Sequence, residues 1–431
     1  MALFGTDGVR GVAGEFLTAD VALKLGRAAA LTSPAEHPQV LIVRDTRESG
    51  EMLEAALAAG IAAGGGHALL GGVLPTPGAS VLVRRYGFDP AAVVSASHNP
   101  YRDNGIKFFG PEGMKVSDEQ EVEIERRLEE PSERIGRLRE LHGAAGDYLR
   151  ELELRFSSLD LSGLRVLLDC ANGATYRVAP EIFRRLGADV DAIAVEPDGR
   201  NINEGVGSTH IDALIARLEG HDVAFAFDGD GDRVLALDRN GTIVDGDELM
   251  ALAALHLRGR GRLAGDGVAV TVMTNYGFHR AMEDAGIEVA TTDVGDRYVL
   301  AELMRRGWAL GGEQSGHIID TGFVPSGDGT ASALLALEAL GGTDLSERHA
   351  MDKLPQRLVN VHVRDRTALD GADAVWAAVE RESEALRGRG RVLVRRSGTE
   401  PLVRVMVEAP GETECEEIAG RLANLVEAEL G

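Results

Sequence analysis

One pattern of apolar strand, polar loop, helical stretch and second strand occurs three times along the chain, and this repetition restricts its fold more than any other feature. The first strands are Val40–Val43, Arg165–Leu168 and Val268–Met273. Each runs into a polar loop: Arg44-Asp45-Thr46, Asp169-Cys170-Ala171-Asn172 and Thr274-Asn275. Helical spacing follows at Met52–Ala63, Ala179–Leu186 and Phe278–Ala285, then second strands at His67–Leu70, Val190–Val195 and Glu288–Thr292. A third strand comes next (Ala92–Val94, Val223–Phe227 or Trp308–Leu310), and behind each lies a loop dense in chemistry. Alternating strands and helices imply an α/β fold with mostly parallel or mixed sheets. Such sheets bind ligands beyond their strand ends, so three equivalent loops facing one cleft is the economical reading.

The tail breaks the pattern. His362-Val363, Arg391–Val394 and Leu402–Val407 read as strands, with helical patterns at Asp373–Leu386 and Glu412–Leu430, which describes a smaller α+β domain. The expected division is therefore 1–148, 149–248, 249–358 and 359–431: three similar α/β domains and one C-terminal domain. A length of 431 residues suits roughly three or four domains.

Composition narrows the function classes. The 44% hydrophobic and 26% charged fractions are those of a globular protein, and a net charge of −24 argues against nucleic acid as the main partner. A local basic pocket for a small anion stays open. Four lysines stand against forty-one arginines, a compositional bias. Cys170 and Cys415 form no CxxC motif, so reduced thiols in a cytoplasmic compartment are expected. The N-terminus lacks the basic and apolar regions of a signal peptide, and no apolar stretch approaches the roughly 18 residues of a membrane span.

The most loaded loop is Asp228-Gly229-Asp230-Gly231-Asp232-Arg233, placed just after an apolar strand. Carboxylates at i, i+2 and i+4 with only glycine between them can converge on one point, and hard oxygen ligands suit Mg²⁺. A calcium EF-hand loop would need Gly and Glu where Arg233 and Arg239 stand, so that reading fails. A solvated acidic turn is the plainer alternative.

In Ser95-Ala96-Ser97-His98-Asn99-Pro100, Ser97 is a candidate nucleophile, because a phosphoryl group on it would supply oxygens to a metal shell. The G-x-S-x-G elbow is absent, which disfavours acyl transfer. His98 reads first as a loop hydrogen-bonder. Asp103-Asn104-Gly105-Ile106-Lys107 delivers one of the few lysines, either to a solvated face or to a site needing positive charge. Gly5–Gly11 is punctuated by glycine and carries Arg10, a combination able to cradle an anion. Arg395-Arg396-Ser397-Gly398-Thr399, with Arg404 beyond, combines hydroxyls, exposed amides and cations as a phosphate monoester requires. Glu313 and Ser315 in Gly311–His317 suit sugar hydroxyls, and His317 is either a satisfied loop histidine or an acid/base. Asp293–Arg297 is a further polar loop in the same unit. No Walker loop is present, and Gly259–Ala264, which fits a loosened dinucleotide fingerprint, follows a helical pattern and is a chance match.

Taken in order, Phe4–Gly11, Ser95–Pro100, Asp228–Arg233, Gly312–His317 and Arg395–Pro401 resemble the α-D-phosphohexomutase superfamily, and within it the bacterial members acting on glucosamine phosphates. Gln314, the FGTDGVRG opening and Asp169–Ala174 carry the narrower likeness; relatives acting on glucose or mannose phosphates usually have another residue at Gln314. The likeness spans residue 4 to the last helix. Val206, where cysteine is frequent, and Met351–Leu358 depart from it.

The resemblance implies four domains around a central cleft, the first three of one α/β topology. It implies an isomerase that interconverts glucosamine 6-phosphate and glucosamine 1-phosphate through a phosphoserine and a sugar bisphosphate, feeding UDP-N-acetylglucosamine synthesis. Ser97 would be the phosphoserine and, with Asp228, Asp230 and Asp232, would hold one Mg²⁺ per subunit. Arg233, Arg297, Glu313 and Ser315 would contact the sugar; Arg395, Ser397, Gly398, Thr399 and Arg404 would hold the phosphate that does not react. Lys107, Arg10 and His317 fall at positions linked to charge stabilisation or proton transfer. A sugar 1,6-bisphosphate or an activating kinase would prime the serine, and a homodimer is compatible with the likeness. A broader glucose/mannose mutase, a phosphosugar phosphatase and a non-catalytic phosphosugar-binding protein are the alternatives.

Overall fold

The structure, a computed structural model, describes residues 3–5, 7–397 and 400–431. The chain forms two compact units, Met1–Val272 with Ala290–Arg348, and Met273–Val289 with His349–Gly431.

The threefold echo is a threefold topology. The first sheet contains Asp103–Phe109, Ala91–Val94, Gln39–Arg44 and His67–Val73 in that spatial order, flanked by Val9–Val12 and Arg137–Glu140. The second runs Val234–Asp238, Val223–Phe227, Arg165–Asp169, Asp189–Ile193, with Ile243–Val244 at its edge. The third runs Ile318–Asp320, Leu310–Gly312, Gly267–Thr271, Glu288–Thr292. In each, the first strand of the repeat lies between the second and the third, and is parallel to the third. The strand after the chemical loop returns antiparallel to the third. Every loaded loop therefore occupies the same turn of the same motif. The third strands Ala91–Val94 and Val223–Phe227 are buried throughout, which is why they read as unbroken apolar runs rather than alternating ones.

Two strands differ from their sequence-based limits. The third strand of the last repeat is Leu310–Gly312, not Trp308–Leu310. Trp308 instead closes the preceding helix, its N–H donating to Leu303 O, and its ring lies over Gly265 and Gly267, where any Cβ would collide with it. The first strand of the tail is Gln356–His362, longer and earlier than His362-Val363. It pairs antiparallel with Leu402–Glu408, and its alternating polar residues hide the apolar signal. The expected limits 148/149, 248/249 and 358/359 fall inside helix Ala144–Arg155, helix Gly246–Gly259 and strand Gln356–His362.

In the second unit Leu402–Glu408 is the central strand, between Gln356–His362 and Arg391–Arg396. Val403, Val405 and Val407 turn one face into a core with Val375 and Val379 of helix Asp373–Ala385 and with Ile418, Leu422 and Val426 of helix Glu412–Leu430. The helix Tyr276–Asp284 belongs to this unit because Tyr276 N–H donates to the buried Glu408 carboxylate at 2.8 Å, and Glu408 also pairs with Arg391 at 2.8 Å. Among the described residues no helix is long and apolar enough to cross a membrane.

A buried polar contact joins the first and third repeats. Tyr148 Oη donates to the Asp328 carboxyl at 2.9 Å, and Asp328 caps helix Gly329–Leu340 by accepting from Ala331 N–H. Burial outweighs these bonds and raises the Asp328 pKa from 3.8 to about 6. An acid whose folded pKa is raised favours folding in its neutral form, so its contribution is present at low pH and is lost as pH rises through 6. Asp328→Asn keeps a cap and removes the ionisation. Urea denaturation of both proteins should show the variant gaining on wild type between pH 4.5 and 8, by at most about 3 kcal/mol; a difference independent of pH would contradict the raised pKa.

Candidate active site

Ser97 sits in the turn after Ala91–Val94, 2% exposed, with φ of 51° in the left-handed region. Its Oγ donates to Asp228 Oδ2 at 2.5 Å, so the loops of the first two repeats meet at this bond. The glycines of the Asp228–Asp232 loop have separate reasons. A Cβ on Gly229 would lie 2.5 Å from the Ser97 carbonyl oxygen, and Gly231 takes a φ of 73° beside Thr175. Close approach and left-handed backbone together allow three carboxylates to face one point.

All three aspartates are buried, and one oxygen from each lies within 4.8 Å of the others. Burial, then Asp232 and Asp230, push the Asp228 carboxyl well above its ordinary range, a stress that a cation would relieve. Burial also works against ionisation of Asp230, but Lys107 and the Thr76 hydroxyl, bonded to its Oδ2 at 3.0 and 2.7 Å, outweigh it and lower its pKa. Asp230 Oδ1 and Asp232 Oδ1 are buried with no hydrogen-bond partner. Buried carboxylate oxygens without hydrogen bonds suit a hard divalent cation, with Arg233 Nε 3.8 Å from Asp232 Oδ1 as the neighbouring charge.

Around this cluster runs a chain of alternating charge. Lys107 Nζ joins Asp230 to Asp7 at 3.0 Å each, and Lys115 joins Asp7 to Asp296, the latter at 2.5 Å. His317 stands between Asp296 at 3.7 Å and Asp232 at 3.6 Å. Burial opposes charge on Lys107, yet Asp230 and Asp7 outweigh it and lift its pKa, so it stays protonated. Lys115 and His317 overcome the effect of burial on Asp296 and hold its pKa at about 2. Gly327 N–H donates to His317 Nε2 at 3.1 Å, which places the imidazole proton on Nδ1 facing Asp232. Burial lowers the affinity of His317 for a second proton, and Asp232 and Asp296 more than restore it.

A cavity of about 300 Å³ opens beside Ser97 and is walled by Arg10, Arg233, Arg297, Glu313, Asp296 and His317. Arg10 pairs with Asp7, and its Nε is buried without a hydrogen bond, as is that of Arg233, which lies 3.8 Å from Asp232 Oδ1. Arg233 Nη1 lies 3.3 Å from His98 Nδ1, and His98 Nδ1 is 3.4 Å from Ser97 Oγ. Burial, Arg233 and Arg10 lower the His98 pKa and keep the ring neutral. Glu313 Oε1 accepts from Gly295 N–H at 3.0 Å. Arg297 lines the wall while pairing with Asp118 at 2.6 Å. Ser315 is exposed and does not line this cavity. Gln314, the residue that narrows the family likeness, directs its amide to Asp245 Oδ2 at 3.2 Å, at the cap of helix Gly246–Gly259.

In the second unit, Arg395 and Arg404 face each other across paired strands Arg391–Arg396 and Leu402–Glu408. Like charges directly opposite destabilise a sheet, and burial together with Arg404 lowers the Arg395 pKa. The Arg404 Nε is buried without a partner. Ser397, 1% exposed, accepts from Glu400 N–H, and Arg366 donates to the Ser397 carbonyl at 2.6 Å. Gly398 and Thr399 lie outside the described residues. Two opposed guanidiniums with spare donors are arranged for an anion.

Sequence reasoning placed Asp7 and Asp296 in polar loops without giving either a role, and passed over Thr76, Lys115 and Arg366. Lys115 carried a usable signal, since it is one of four lysines and two of the four meet at Asp7. Thr76 carried none: it reads as an ordinary helix start.

Profiles of one family match the chain in four successive segments: phosphoglucomutase/phosphomannomutase alpha/beta/alpha domain I over 1–135, domain II over 141–241, domain III over 245–358, and the C-terminal domain over 358–425. A phosphoglucosamine mutase of Desulforudis audaxviator is 49% identical over 99% of this chain and 98% of its own length. That of Bacillus subtilis is 46% identical over 99% of each. Among solved structures, a phosphoglucomutase/phosphomannomutase family protein from Burkholderia thailandensis superposes with a TM-score of 0.84 at 24% identity, covering 99% of this chain and 97% of the other. The Aspergillus fumigatus N-acetylphosphoglucosamine mutase, in complex with GlcNAc-6P and magnesium, has a TM-score of 0.70 at 19% identity, covering 100% and 96%. By four matching profiles and near half identity along its whole length, the chain belongs to the phosphoglucomutase/phosphomannomutase family.

Proposed function

We propose that this chain is a phosphoglucosamine mutase, interconverting glucosamine 6-phosphate and glucosamine 1-phosphate through a phosphoserine at Ser97 and a sugar bisphosphate. The observation that carries the chemistry is the contact of Ser97 Oγ with Asp228 within the buried three-carboxylate cluster. The choice of sugar rests on full-length relatives named for that activity.

Asp228, Asp230, Asp232 and the Ser97 oxygens would hold one Mg²⁺, for which the unpartnered oxygens of Asp230 and Asp232 are suited. When bound, the ion neutralises charge on transferring phosphoryl oxygens. The chain's own residues supply the rest. A sugar hydroxyl attacks phosphorus, its new O–P bond forms as the Ser97 Oγ–P bond breaks, and the hydroxyl proton ends on the freed Ser97 Oγ, with His317 in the cavity wall as its carrier. Lys107 is held protonated and acts as fixed positive charge. Arg10 and Arg233 offer free N–H groups to phosphoryl oxygens, and Glu313 accepts from sugar hydroxyls. The bisphosphate then turns end over end, and the second phosphate returns to Ser97. Arg395, Ser397 and Arg404, with Gly398 and Thr399, grip whichever phosphate is not reacting. A sugar 1,6-bisphosphate primes the serine; an activating kinase, a homodimer and a cytoplasmic location accompany this reading.

The test is turnover of glucosamine, glucose and mannose phosphates compared by kcat/KM, with Mg²⁺ and a bisphosphate primer. Preference for glucosamine phosphate by about tenfold or more supports the reading, since a single polar contact can give that much. Equal rates would make the protein a general hexomutase. Ser97→Ala should abolish turnover and the gain of one phosphoryl group in intact mass; a variant retaining full turnover would falsify the serine route.

Arg404→Met separates the grip from the fold. It removes one of two opposed cations, so KM should rise about tenfold or more while the melting temperature holds or climbs slightly. An unchanged KM would remove Arg404 from the phosphate site.

A further inference from the structure

Arg47 and Asp45 are an ion pair whose side chains are 0% exposed, and nothing in the reaction above uses them. All five guanidinium N–H groups are spent. Nε donates to Asp45 Oδ2 at 2.8 Å, Nη1 to the carbonyls of Pro100 and Asp103, and Nη2 to those of Ser97 and Asn99 at 2.8 and 2.9 Å. One side chain thus fixes four carbonyls of the turn that carries Ser97. The pair reaches the Ser97 N–H as well: Asp45 Oδ2 accepts from Ser95 Oγ at 2.5 Å, and Ser95 Oγ accepts from Ser97 N–H at 3.0 Å. Asn203, from the second repeat, adds donors to the Ser97 and Asn99 carbonyls at 2.9 and 3.2 Å.

We propose that Arg47 is a positioning residue for phosphoryl transfer, holding Ser97 in its left-handed conformation so that Oγ faces the carboxylate cluster. The assignment rests on the reading of Ser97 as phosphoryl carrier. With φ of 51°, Ser97 occupies a region that residues with a Cβ keep only when their surroundings impose it. Both backbone polar groups of Ser97 lead to the Asp45–Arg47 pair, and rotating the Ser97 peptide would strand either the carbonyl or the N–H in a buried site. Arginine is required because its planar fork reaches carbonyls on two sides. A lysine ammonium has three donors at one point and leaves at least two of the five acceptors unpaired. Arg47 acts on the reaction through the backbone of Ser97 and touches neither phosphoryl group nor sugar.

The test compares Arg47→Lys with Arg155→Lys, an arginine whose side chain is 7% exposed and joins Asp320 and Glu338 away from the cavity. Three readouts are taken on the full chain: the rate at which a sugar 1,6-bisphosphate loads Ser97, followed by intact mass; kcat and KM for glucosamine 6-phosphate; and the melting temperature. Arg47→Lys should lose about tenfold to a hundredfold in loading rate and kcat together, with KM moving less than about threefold. Arg155→Lys should lose stability while keeping kcat. Loading and kcat within about twofold of wild type in Arg47→Lys, or losses no larger than those of Arg155→Lys, overturn the assignment. Should Arg47→Lys fail to fold, Ser95→Ala decides, because it cuts the Asp45–Ser95–Ser97 link and leaves the four carbonyl bonds of Arg47 in place. A fall of about threefold or more at constant KM supports the positioning role and wild-type rates overturn it. A wild-type protein that takes no phosphoryl group on Ser97 removes the carrier reading, whereas equal loading by wild type and Arg47→Lys removes only the role of Arg47.

Discussion

Three carboxylates buried within one turn of chain are the constraint on which this structure depends. Each excluded charge would cost several kcal/mol if left alone, so the surrounding residues must supply compensation. Lys107, Arg233 and His317 do so from three directions; Asp7 and Asp296 balance those groups in turn, and Lys115 joins the two aspartates. The compensation is incomplete: Asp228 remains strained toward its neutral form, and two carboxylate oxygens lack partners. A fold optimised for stability alone would replace such a cluster with apolar residues. Its retention, with a serine hydroxyl bonded to its first member, is the mark of a site kept for binding a cation and phosphate.

Repetition solves the problem of assembling that site. One motif, used three times, puts a loop at the same turn of each sheet, so the chain needs one solution to the backbone problem and three different loop chemistries. The first loop offers a hydroxyl, the second carboxylates, the third a carboxylate and an imidazole. Because the third strands are buried on both faces, the polar groups can emerge only at the strand ends. The location of the chemistry therefore follows from the hydrophobicity of the strands.

Much of this was legible in the sequence because it is local. Val223–Phe227 followed by Asp228-Gly-Asp-Gly-Asp232 gives a strand, a turn and a ligand set within ten residues, and helix Glu412–Leu430 follows directly from its periodicity. What escaped depends on distant partners. Thr76 bonds Asp230 across 154 positions of chain and Lys115 reaches Asp296 across 181, and no spacing rule links such residues. The displaced strand at Leu310–Gly312 failed for another reason: Trp308 is apolar and aromatic, as a strand residue should be, but its ring was claimed by two glycines and a helix end. Ser315 shows the opposite limit, since a motif names it while the fold turns it to solvent.

Gln314 sharpens what a motif can and cannot say about sugar choice. It is one of the features that carry the narrower resemblance, yet its amide faces Asp245, which caps helix Gly246–Gly259. Any effect on the sugar would pass through the backbone of its own loop, whose Gln314 carbonyl accepts from Gly246 N–H and whose Gly316 carbonyl accepts from Val234 N–H. Those bonds fix Glu313 one residue away, with its Oε1 tied to Gly295 N–H beside Asp296. An amine differs from a hydroxyl chiefly in charge at neutral pH, and the wall that could sense that charge is made of Glu313 and Asp296, the latter ionised at any physiological pH. On the proposed reading, discrimination between amino and neutral sugars would rest on carboxylate placement, with Gln314 setting the loop that places one of them.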